Sequence, residues 1–186
     1  MLDFLLQWDR KSFVYINGLG VTPYDSFWLA VTHFYTWIPL FIFLIALIFI
    51  EYRKKNGFII LMAYTAMLLL LGLVIFFIKE NVGRVRPNND LAMLVLGRVL
   101  QTPESYSFFS GHSASSFSIA TLSALLLKGR FKWIYAIFLW PVLISFSRIY
   151  LGVHYPLDVI VGAGVGVLFS FGSYALLQRF ISRDRA

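Results

Sequence analysis

Three short stretches of the chain hold the side chains that could do chemistry, and the last of them is the most informative. In residues 147–158, SRIYLGVHYPLD, a histidine and an aspartate stand four positions apart, His154 and Asp158. Gly152 and Pro156 predict that one helix ends and the next begins here, which places Asp158 in a first helical turn. A carboxylate at this position can hold one nitrogen of the imidazole and leave the other to attack as a nucleophile.

The other two stretches, residues 79–87 (KENVGRVRP) and 108–113 (FFSGHS), supply groups suited to an anion. Ser110 is a typical N-cap, and the N–H groups of the helix that it opens would form an anion site that Gly111 leaves open to close approach. His112 stands beside that site as a candidate proton donor. Three positively charged side chains could bind the negatively charged oxygens of a phosphate: Lys79, Arg86 and Arg148.

Each stretch also has a simpler interpretation. Cations at membrane ends often extend toward the interface, and His112 would then be an interfacial residue after an ordinary cap. Arg148 would form a salt bridge with Asp158, but that pairing leaves His154 unexplained. The combination of three such stretches therefore favours a phosphate site. A further cation, Arg84, has no partner that the sequence identifies.

The composition indicates the environment of this site. The chain is 59% hydrophobic and 13% charged, with a mean hydropathy of +0.76, whereas soluble proteins have about 25% charged residues. We therefore predict an all-α, polytopic integral membrane bundle formed by one domain, residues 1–186. The chain has no cysteine, which excludes disulfides and thiolate metal sites. We predict no cofactor, no bound metal and no cleaved signal peptide, and the sequence leaves the oligomeric state open.

Hydrophobic runs divide the chain into five predicted spans, or six if residues 1–32 contribute another. They cover residues 25–51, 58–78, 110–127, 133–150 and 156–177. Residues 2–17 are too polar to span, so we expect an amphipathic helix at the interface, within residues 1–20 and ended by Asn17 and Gly18. Residues 79–109 are predicted to form a long polar loop, which has one short apolar piece at 91–100 and contains a small helix.

Basic residues indicate the orientation of the bundle. Lysine and arginine are enriched in two short connections and in the tail, at residues 51–57, 128–132 and 178–186, where the tail includes Arg183 and Arg185. We therefore place these segments in the cytoplasm. By alternation, all three chemical stretches lie on the other face. We therefore expect an inner membrane protein with a periplasmic or external active site. Cytoplasmic loops also account for the net charge of +7 without nucleic acid as a partner.

Together these stretches resemble the three-motif pattern of the type 2 phosphatidic acid phosphatase superfamily of membrane lipid phosphatases. The resemblance extends from the second predicted span to the start of the fifth. It implies that His154 attacks phosphorus, Asp158 orients His154, and His112 protonates the leaving group, with no metal required. The phosphoryl oxygens would be bound by five residues: Lys79, Arg86, Ser110, Gly111 and Arg148. Phe109 stands where the family usually has proline.

The resemblance also implies a lipid phosphate or diphosphate as substrate, and undecaprenyl diphosphate is our expectation. Phosphatidylglycerophosphate, phosphatidic acid and the 1-phosphate of lipid A remain open. Two other classes are a non-catalytic anion-binding or transport protein and a vanadate-dependent haloperoxidase. The first would not need two histidines and an aspartate, and known members of the second are soluble.

Residues outside the motifs have structural interpretations. We expect His33 to be structural. Gly162, Gly164 and Gly166 predict close helix packing in the last span. Three serines, Ser113, Ser116 and Ser123, are expected to form hydrogen bonds within the bundle.

Overall fold

The computed structural model describes residues 2–181, and the regular elements among them are helices. The eight α-helices are α1 (Leu2–Gly18), α2 (Asp25–Thr32), α3 (Ile38–Glu51), α4 (Lys54–Val82), α5 (Leu91–Leu96), α6 (Gly111–Leu127), α7 (Leu139–Tyr150) and α8 (Pro156–Leu177). Short 3₁₀ segments at Phe34–Trp37 and Lys132–Phe138 lead into α3 and α7. The predicted small helix in the long loop is confirmed as α5.

Helix α6 lies at the centre of the bundle and packs most extensively against α8. Two glycines of α8 permit this approach, because a Cβ at Gly162 would lie 2.6 Å from the Ser110 carbonyl oxygen, and one at Gly166 would lie 2.1 Å from that of Ala114. The prediction for Gly164 is wrong: this residue is exposed, and no neighbouring helix of the described chain comes within 4 Å of its Cβ position. The close contact therefore follows the i, i+4 face of α8 alone.

Serines hold this interface together, as expected. The Ser113 hydroxyl donates to the Val159 carbonyl oxygen of α8 at 2.8 Å and accepts from Ser145 Oγ of α7 at 3.0 Å. Ser116 and Ser123 donate to carbonyl oxygens of their own helix. These contacts satisfy polar groups inside the apolar bundle.

Four helical stretches within residues 2–181 are long and apolar enough to cross a membrane: Phe34–Glu51, Lys54–Leu96, Lys132–Tyr150 and Pro156–Leu177. They correspond to four of the five predicted spans. The remaining one corresponds to α6, which has 17 residues and is about 26 Å long at 1.5 Å per residue. Helix length and composition thus agree with the predicted membrane bundle, and its most buried helix, α6, is slightly shorter than these four stretches.

Two predicted boundaries are wrong. The span 25–51 is not one helix, because His33 adopts an extended conformation between α2 and the 3₁₀ segment and stacks on Tyr35 at the surface. The second span is longer than predicted: α4 continues to Val82, so Lys79 lies in its last turn and not in a loop. This places the Lys79 side chain on a rigid element.

Helix α1 has the predicted ends, but part of its polar face is packed against protein. Asp9, Phe13 and Asn17, spaced four residues apart, are fully buried. Asn17 Nδ2 donates to the carbonyl oxygens of Ile149 and Tyr150 at 3.1 and 2.9 Å. The helix is therefore fastened to the end of α7.

The basic connections meet at the opposite end of the bundle from the three chemical stretches. Arg130 Nη1 donates to the Ile50 carbonyl oxygen at 2.9 Å, and the Tyr52 hydroxyl donates to that of Leu126 at 2.9 Å. Of the tail residues, Arg183 and Arg185 lie outside the described residues.

The turn between α7 and α8 follows the sequence prediction. Gly152 has φ of +77°, and a Cβ there would lie 2.3 Å from the Arg98 carbonyl oxygen, so both conformation and space require glycine. Pro156 then opens α8 at its first position. His154 lies within this turn, between Gly152 and Pro156.

Candidate active site

His154 and Asp158 form a buried pair at the start of α8. His154 Nδ1 lies 3.4 Å from Asp158 Oδ2, at the long end of hydrogen-bonding distance. The same carboxylate oxygen accepts a hydrogen bond from the Tyr155 backbone N–H at 2.9 Å and another from the Ser107 hydroxyl. The carboxylate is therefore fixed by several donors and faces the imidazole.

The neighbours of His154 determine which ring nitrogen carries the proton. Arg86 Nη1 lies 3.0 Å from Nε2, and because a guanidinium can only donate, Nε2 must accept. The proton of a neutral ring is then on Nδ1, facing Asp158. This tautomer leaves the Nε2 lone pair directed toward the cations, which is the arrangement that a nucleophile needs.

Burial keeps this imidazole neutral. Desolvation lowers the pKa of His154 to about 3, Arg86 and Arg148 act in the same direction, and Asp158 opposes them. A neutral ring at physiological pH has its lone pair available for attack.

Lys79, Arg86 and Arg148 are buried beside His154, and their hydrogen bonds among the described residues go to neutral acceptors. Lys79 donates to the Tyr106 carbonyl oxygen. Arg86 donates to the backbone oxygens of Ser105 and Val153, and to the Ser105 hydroxyl at 3.0 Å. Arg148 donates to the Thr32 hydroxyl and to Gln101 Oε1 at 3.2 Å.

Four other arginines of the described chain, Arg10, Arg84, Arg98 and Arg130, differ from these cations because each has a carboxylate partner. Arg148 also has a buried Nε that finds no hydrogen-bond acceptor within residues 2–181. Buried charges and donors are costly unless they are paired. The cluster of three cations is thus suited to a multivalent oxyanion.

The helix end predicted from Ser110 is present. Ser110 is the N-cap of α6: its Oγ accepts from the Ser113 N–H at 3.4 Å, and its own N–H donates to the Asp158 carbonyl oxygen at 2.9 Å. The first N–H groups of a helix, here those of Gly111 and His112, have no acceptor within it. Phe109, the one departure from the resembled motif pattern, is buried against Leu71 and Ala114.

His112 is exposed at the opening of an apolar cavity. The charges of Lys79, Arg86 and Arg148 all act on its ring, which places it on the rim of the cation cluster. The cavity has a volume of about 290 Å³, and most of its lining is aromatic or aliphatic, with Trp37 and Trp140 among the residues. A second cavity of about 360 Å³ shares the lining residues Phe41, Leu68 and Ile119 and continues toward Ser123.

The structure therefore brings together every predicted site residue, and it adds three that the sequence did not identify. Ser107 donates to Asp158, and Arg84 Nη1 lies 2.5 Å from Asp158 Oδ1. Asp9 of α1 forms an ion pair with Arg84. Ser107 and Asp9 carry no local signal, because their partners are far away in the sequence, whereas the unexplained charge of Arg84 was such a signal.

Among residues 2–181, no group of three histidine, cysteine, aspartate or glutamate side chains is arranged to hold a metal ion.

A family model described as the PAP2 superfamily matches residues 60–182, which include all three chemical stretches. The chain belongs to the PAP2 superfamily. This confirms the resemblance seen in the motifs and the prediction of an enzyme, because PAP2 relatives of the chain are lipid phosphatases, hydrolases of phosphoric esters. It also agrees with an integral membrane protein.

Individual PAP2 relatives differ in their lipid. The chain is 28% identical to the lipid A 4′-phosphatase of Bacteroides thetaiotaomicron over 98% of this chain and 83% of that protein. It is 36% identical to the undecaprenyl-diphosphatase of Sulfolobus acidocaldarius over 74% of this chain and 61% of the relative. The crystal structure of a PAP2-type phosphatidylglycerolphosphate phosphatase from Bacillus subtilis matches with a TM-score of 0.73 and 24% identity, covering 97% of this chain and 89% of that one, which supports the fold.

Proposed function

We propose that this protein hydrolyses a lipid-linked phosphate or diphosphate without a metal, through a phosphohistidine formed on His154. The observation that carries the proposal is the buried cluster of Lys79, Arg86 and Arg148, which has no carboxylate hydrogen-bond partner among the described residues and lies next to a neutral imidazole. A terminal phosphoryl group brings up to two negative charges, and the cations can offset them as charge moves in the transition state.

In the first step His154 Nε2 attacks phosphorus in line with the leaving oxygen. As the phosphoryl group approaches, one of its oxygens replaces Nε2 as the acceptor of the Arg86 Nη1 donor. The bond between the attacked phosphorus and its leaving oxygen breaks; this oxygen belongs to the lipid alcohol in a monophosphate and to the lipid monophosphate in a diphosphate. His112 gives its proton to that departing oxygen. Asp158 stabilises the positive charge that develops on the imidazole.

In the second step water attacks the phosphohistidine. His112, now neutral, takes a proton from that water, and inorganic phosphate leaves while His154 regains its lone pair. Arg148 would hold phosphoryl oxygens through its fork, including the Nε that has no acceptor within the described chain. Gly111 would offer a backbone N–H, and Ser110 would act through the helix end that it caps.

The apolar cavity beside His112 supports a lipid as the substrate. It begins at the polar residues Thr32 and His112 and continues between α3, α4 and α6 into the second cavity. A phosphate at the cation cluster can therefore be joined to a hydrocarbon chain that stays inside the bundle or the bilayer. We place the site on the periplasmic or external side of an inner membrane, because the basic connections lie at the other end.

Among lipids we favour undecaprenyl diphosphate, which would be converted to undecaprenyl phosphate. The cavity nearest His112 is lined mainly by apolar groups, which suits a single isoprenoid chain better than a sugar headgroup. The undecaprenyl-diphosphatase of S. acidocaldarius is one of the relatives. A lipid A phosphate is the second candidate, because the relative named lipid A 4′-phosphatase aligns with almost the whole chain.

The test is phosphate release by purified protein in detergent, with each lipid at equal surface concentration. The panel comprises undecaprenyl diphosphate, lipid A, phosphatidylglycerophosphate, phosphatidic acid and the soluble p-nitrophenyl phosphate. We expect the first to be cleaved fastest and the soluble ester slowest, and His154→Ala to be inactive on all. If another lipid is cleaved well and undecaprenyl diphosphate no faster than the soluble ester, the substrate proposal fails.

A further inference from the structure

A chain of charged side chains runs from the N-terminal helix to the catalytic histidine. Asp9 of α1 forms an ion pair with Arg84 Nη2, and Arg84 Nη1 lies 2.5 Å from Asp158 Oδ1. The other carboxylate oxygen of Asp158 faces His154. Asp9 and Asp158 are fully buried, and Arg84 is mostly buried, with its guanidinium 4.3 Å from the centre of the Tyr155 ring.

Asp9 makes a second contact that bears on the same place. Its Oδ1 accepts from the backbone N–H of Leu157 at 2.8 Å. Leu157 is the second residue of α8, whose first N–H groups have no acceptor within the helix. A carboxylate from α1 therefore completes the first turn of α8, the turn that carries Asp158.

The charges in this chain are balanced in a way that suits the reaction. Asp9, Arg84 and Asp158 together carry one net negative charge, and this charge lies on the Nδ1 side of a neutral imidazole. Attack by Nε2 makes the ring cationic, so a single negative charge behind it stabilises the product of attack. Without Arg84, two buried carboxylates would repel each other, and Asp158 would draw a proton to itself or to His154.

We propose that Asp9 and Arg84 are a positioning pair that couples helix α1 to the His154–Asp158 dyad and keeps Asp158 ionised and directed at Nδ1. Neither residue needs to touch the phosphoryl group. The proposal rests on the proposed role of His154 as nucleophile. It assigns α1 a function beyond membrane association, because the helix supplies the outermost charge of the catalytic machinery.

Other charges also face the imidazole, and they define the background of the test. Arg86 from the loop after α4, Arg148 from α7 and Asp158 from α8 act on His154 directly. Lys79 of α4 and His112 of α6 belong to the same cluster. All of these stay unchanged in the variants below, so a shift in the pH profile reports on Asp9 and Arg84.

The experiment compares Asp9→Asn, Arg84→Gln, Arg84→Lys and the double variant Asp9→Asn/Arg84→Gln. Arg10→Gln is the matched control, because Arg10 follows Asp9 on α1 and forms an exposed ion pair with Asp90. The substrate probe is farnesyl diphosphate in detergent micelles, and kcat and KM are measured from pH 4 to 9. The equilibrium probe is orthovanadate, whose five-coordinate adduct needs an oriented Nε2.

We expect Arg84→Gln to lower kcat by about 10- to 100-fold, with KM changed by less than about threefold. The acid limb of its kcat profile should move up by about one pH unit, because an uncompensated carboxylate favours the protonated imidazole. Removing the second carboxylate relieves that excess charge, so the double variant should regain part of the lost kcat. Arg84→Lys should keep the wild-type acid limb and lose less activity, and Arg10→Gln should resemble wild type.

A purely structural role predicts a different pattern. If the pair only fastens α1, the two substitutions add their losses, the acid limb does not move, and Arg84→Lys is as harmful as Arg84→Gln. Any of these results in variants that melt cooperatively in detergent would overturn the proposal. If Arg84→Gln does not fold, Arg84→Lys and Asp9→Asn still decide, because a positioning role requires that both lower kcat more than KM changes.

Vanadate separates this proposal from the proposed function. If wild-type protein releases no phosphate from farnesyl diphosphate or any lipid of the panel, the proposed function fails, yet vanadate binding still reports on the imidazole. We expect binding by wild type and Arg10→Gln, none by His154→Ala, and about tenfold weaker binding by Arg84→Gln. Equal binding by Arg84→Gln and wild type, or no binding by wild type, contradicts the positioning of His154.

Discussion

Arg148→Lys is the substitution that separates a directional oxygen clamp from a simple positive charge. Arg148 is buried, its Nη1 donates to Thr32 and Gln101, and its Nε has no acceptor within the described chain. A lysine keeps the charge but has no planar fork, so it cannot hold those two acceptors and also direct two donors at a phosphoryl group. We therefore expect lysine to be almost as harmful as alanine at this position.

The magnitude follows from the number of donors lost. Removing one preorganised donor from a charge-stabilising site costs about 10²- to 10³-fold in kcat, or about 3–4 kcal/mol of transition-state stabilisation. Arg148→Ala should fall in this range, and Arg148→Lys should be within about tenfold of it. The assay is initial-rate phosphate release from the lipid that wild type cleaves best, in detergent, with kcat and KM determined separately.

Arg98→Lys provides the control for folding and for arginine loss in general. Arg98 Nη2 binds Asp25 at 2.6 and 2.9 Å outside the cation cluster, so its replacement should lower the melting temperature and leave kcat within about twofold of wild type. Arg148→Lys with kcat within about threefold of wild type would refute the view that the fork, rather than the charge, stabilises the transition state.

Activity should survive EDTA, because the cation cluster supplies the positive charge; loss in chelator that a divalent ion restores would show that the mechanism is wrong. Gly166→Ala should lower stability by about 1–3 kcal/mol, since its Cβ would lie 2.1 Å from the Ala114 carbonyl oxygen, whereas Gly164→Ala should leave the melting temperature unchanged or slightly higher. Because the pKa of His154 is lowered from 6.5 to about 3 on folding, the unfolded chain binds more protons in this window and stability should rise with pH across it. The melting temperature of His154→Gln should therefore depend less on pH between 4 and 6.5, and an identical dependence would contradict the buried neutral imidazole.

Much of the site could be predicted because neighbouring residues in the sequence indicate where its members lie. Gly152 and Pro156 mark the ends of two helices, and Ser110 marks the start of a third, so the positions of His154 and His112 at helix ends follow from nearby residues. Charges in an otherwise apolar chain are conspicuous, and helix alternation brings their ends to one face. The geometry of each contact was beyond the sequence, but the grouping was not.

Contacts between distant residues were not predictable in the same way. The pattern of residues around Asp9 predicts that it belongs to the solvated face of an amphipathic helix. Its ion pair with Arg84 joins residues 75 positions apart, and no neighbouring residue indicates this pairing. The break at His33 was not predictable either. Residues 25–33 contain no proline, so the apolar run to which they belong predicts a continuous helix. Gly164 was misjudged because the composition of α8 does not reveal which side of it meets α6.

The identity of the phosphorylated residue tests the central claim most directly. Protein is mixed with ³²P-labelled lipid diphosphate, quenched in alkali, which preserves phosphohistidine, and the labelled peptide is identified by mass spectrometry. We predict label on His154 in the wild type and no label in His154→Ala. The label should accumulate in His112→Ala, because this variant slows attack of water on the phosphohistidine more than it slows phosphoryl transfer from an activated substrate. Label on another residue, or label in His154→Ala, would contradict the mechanism.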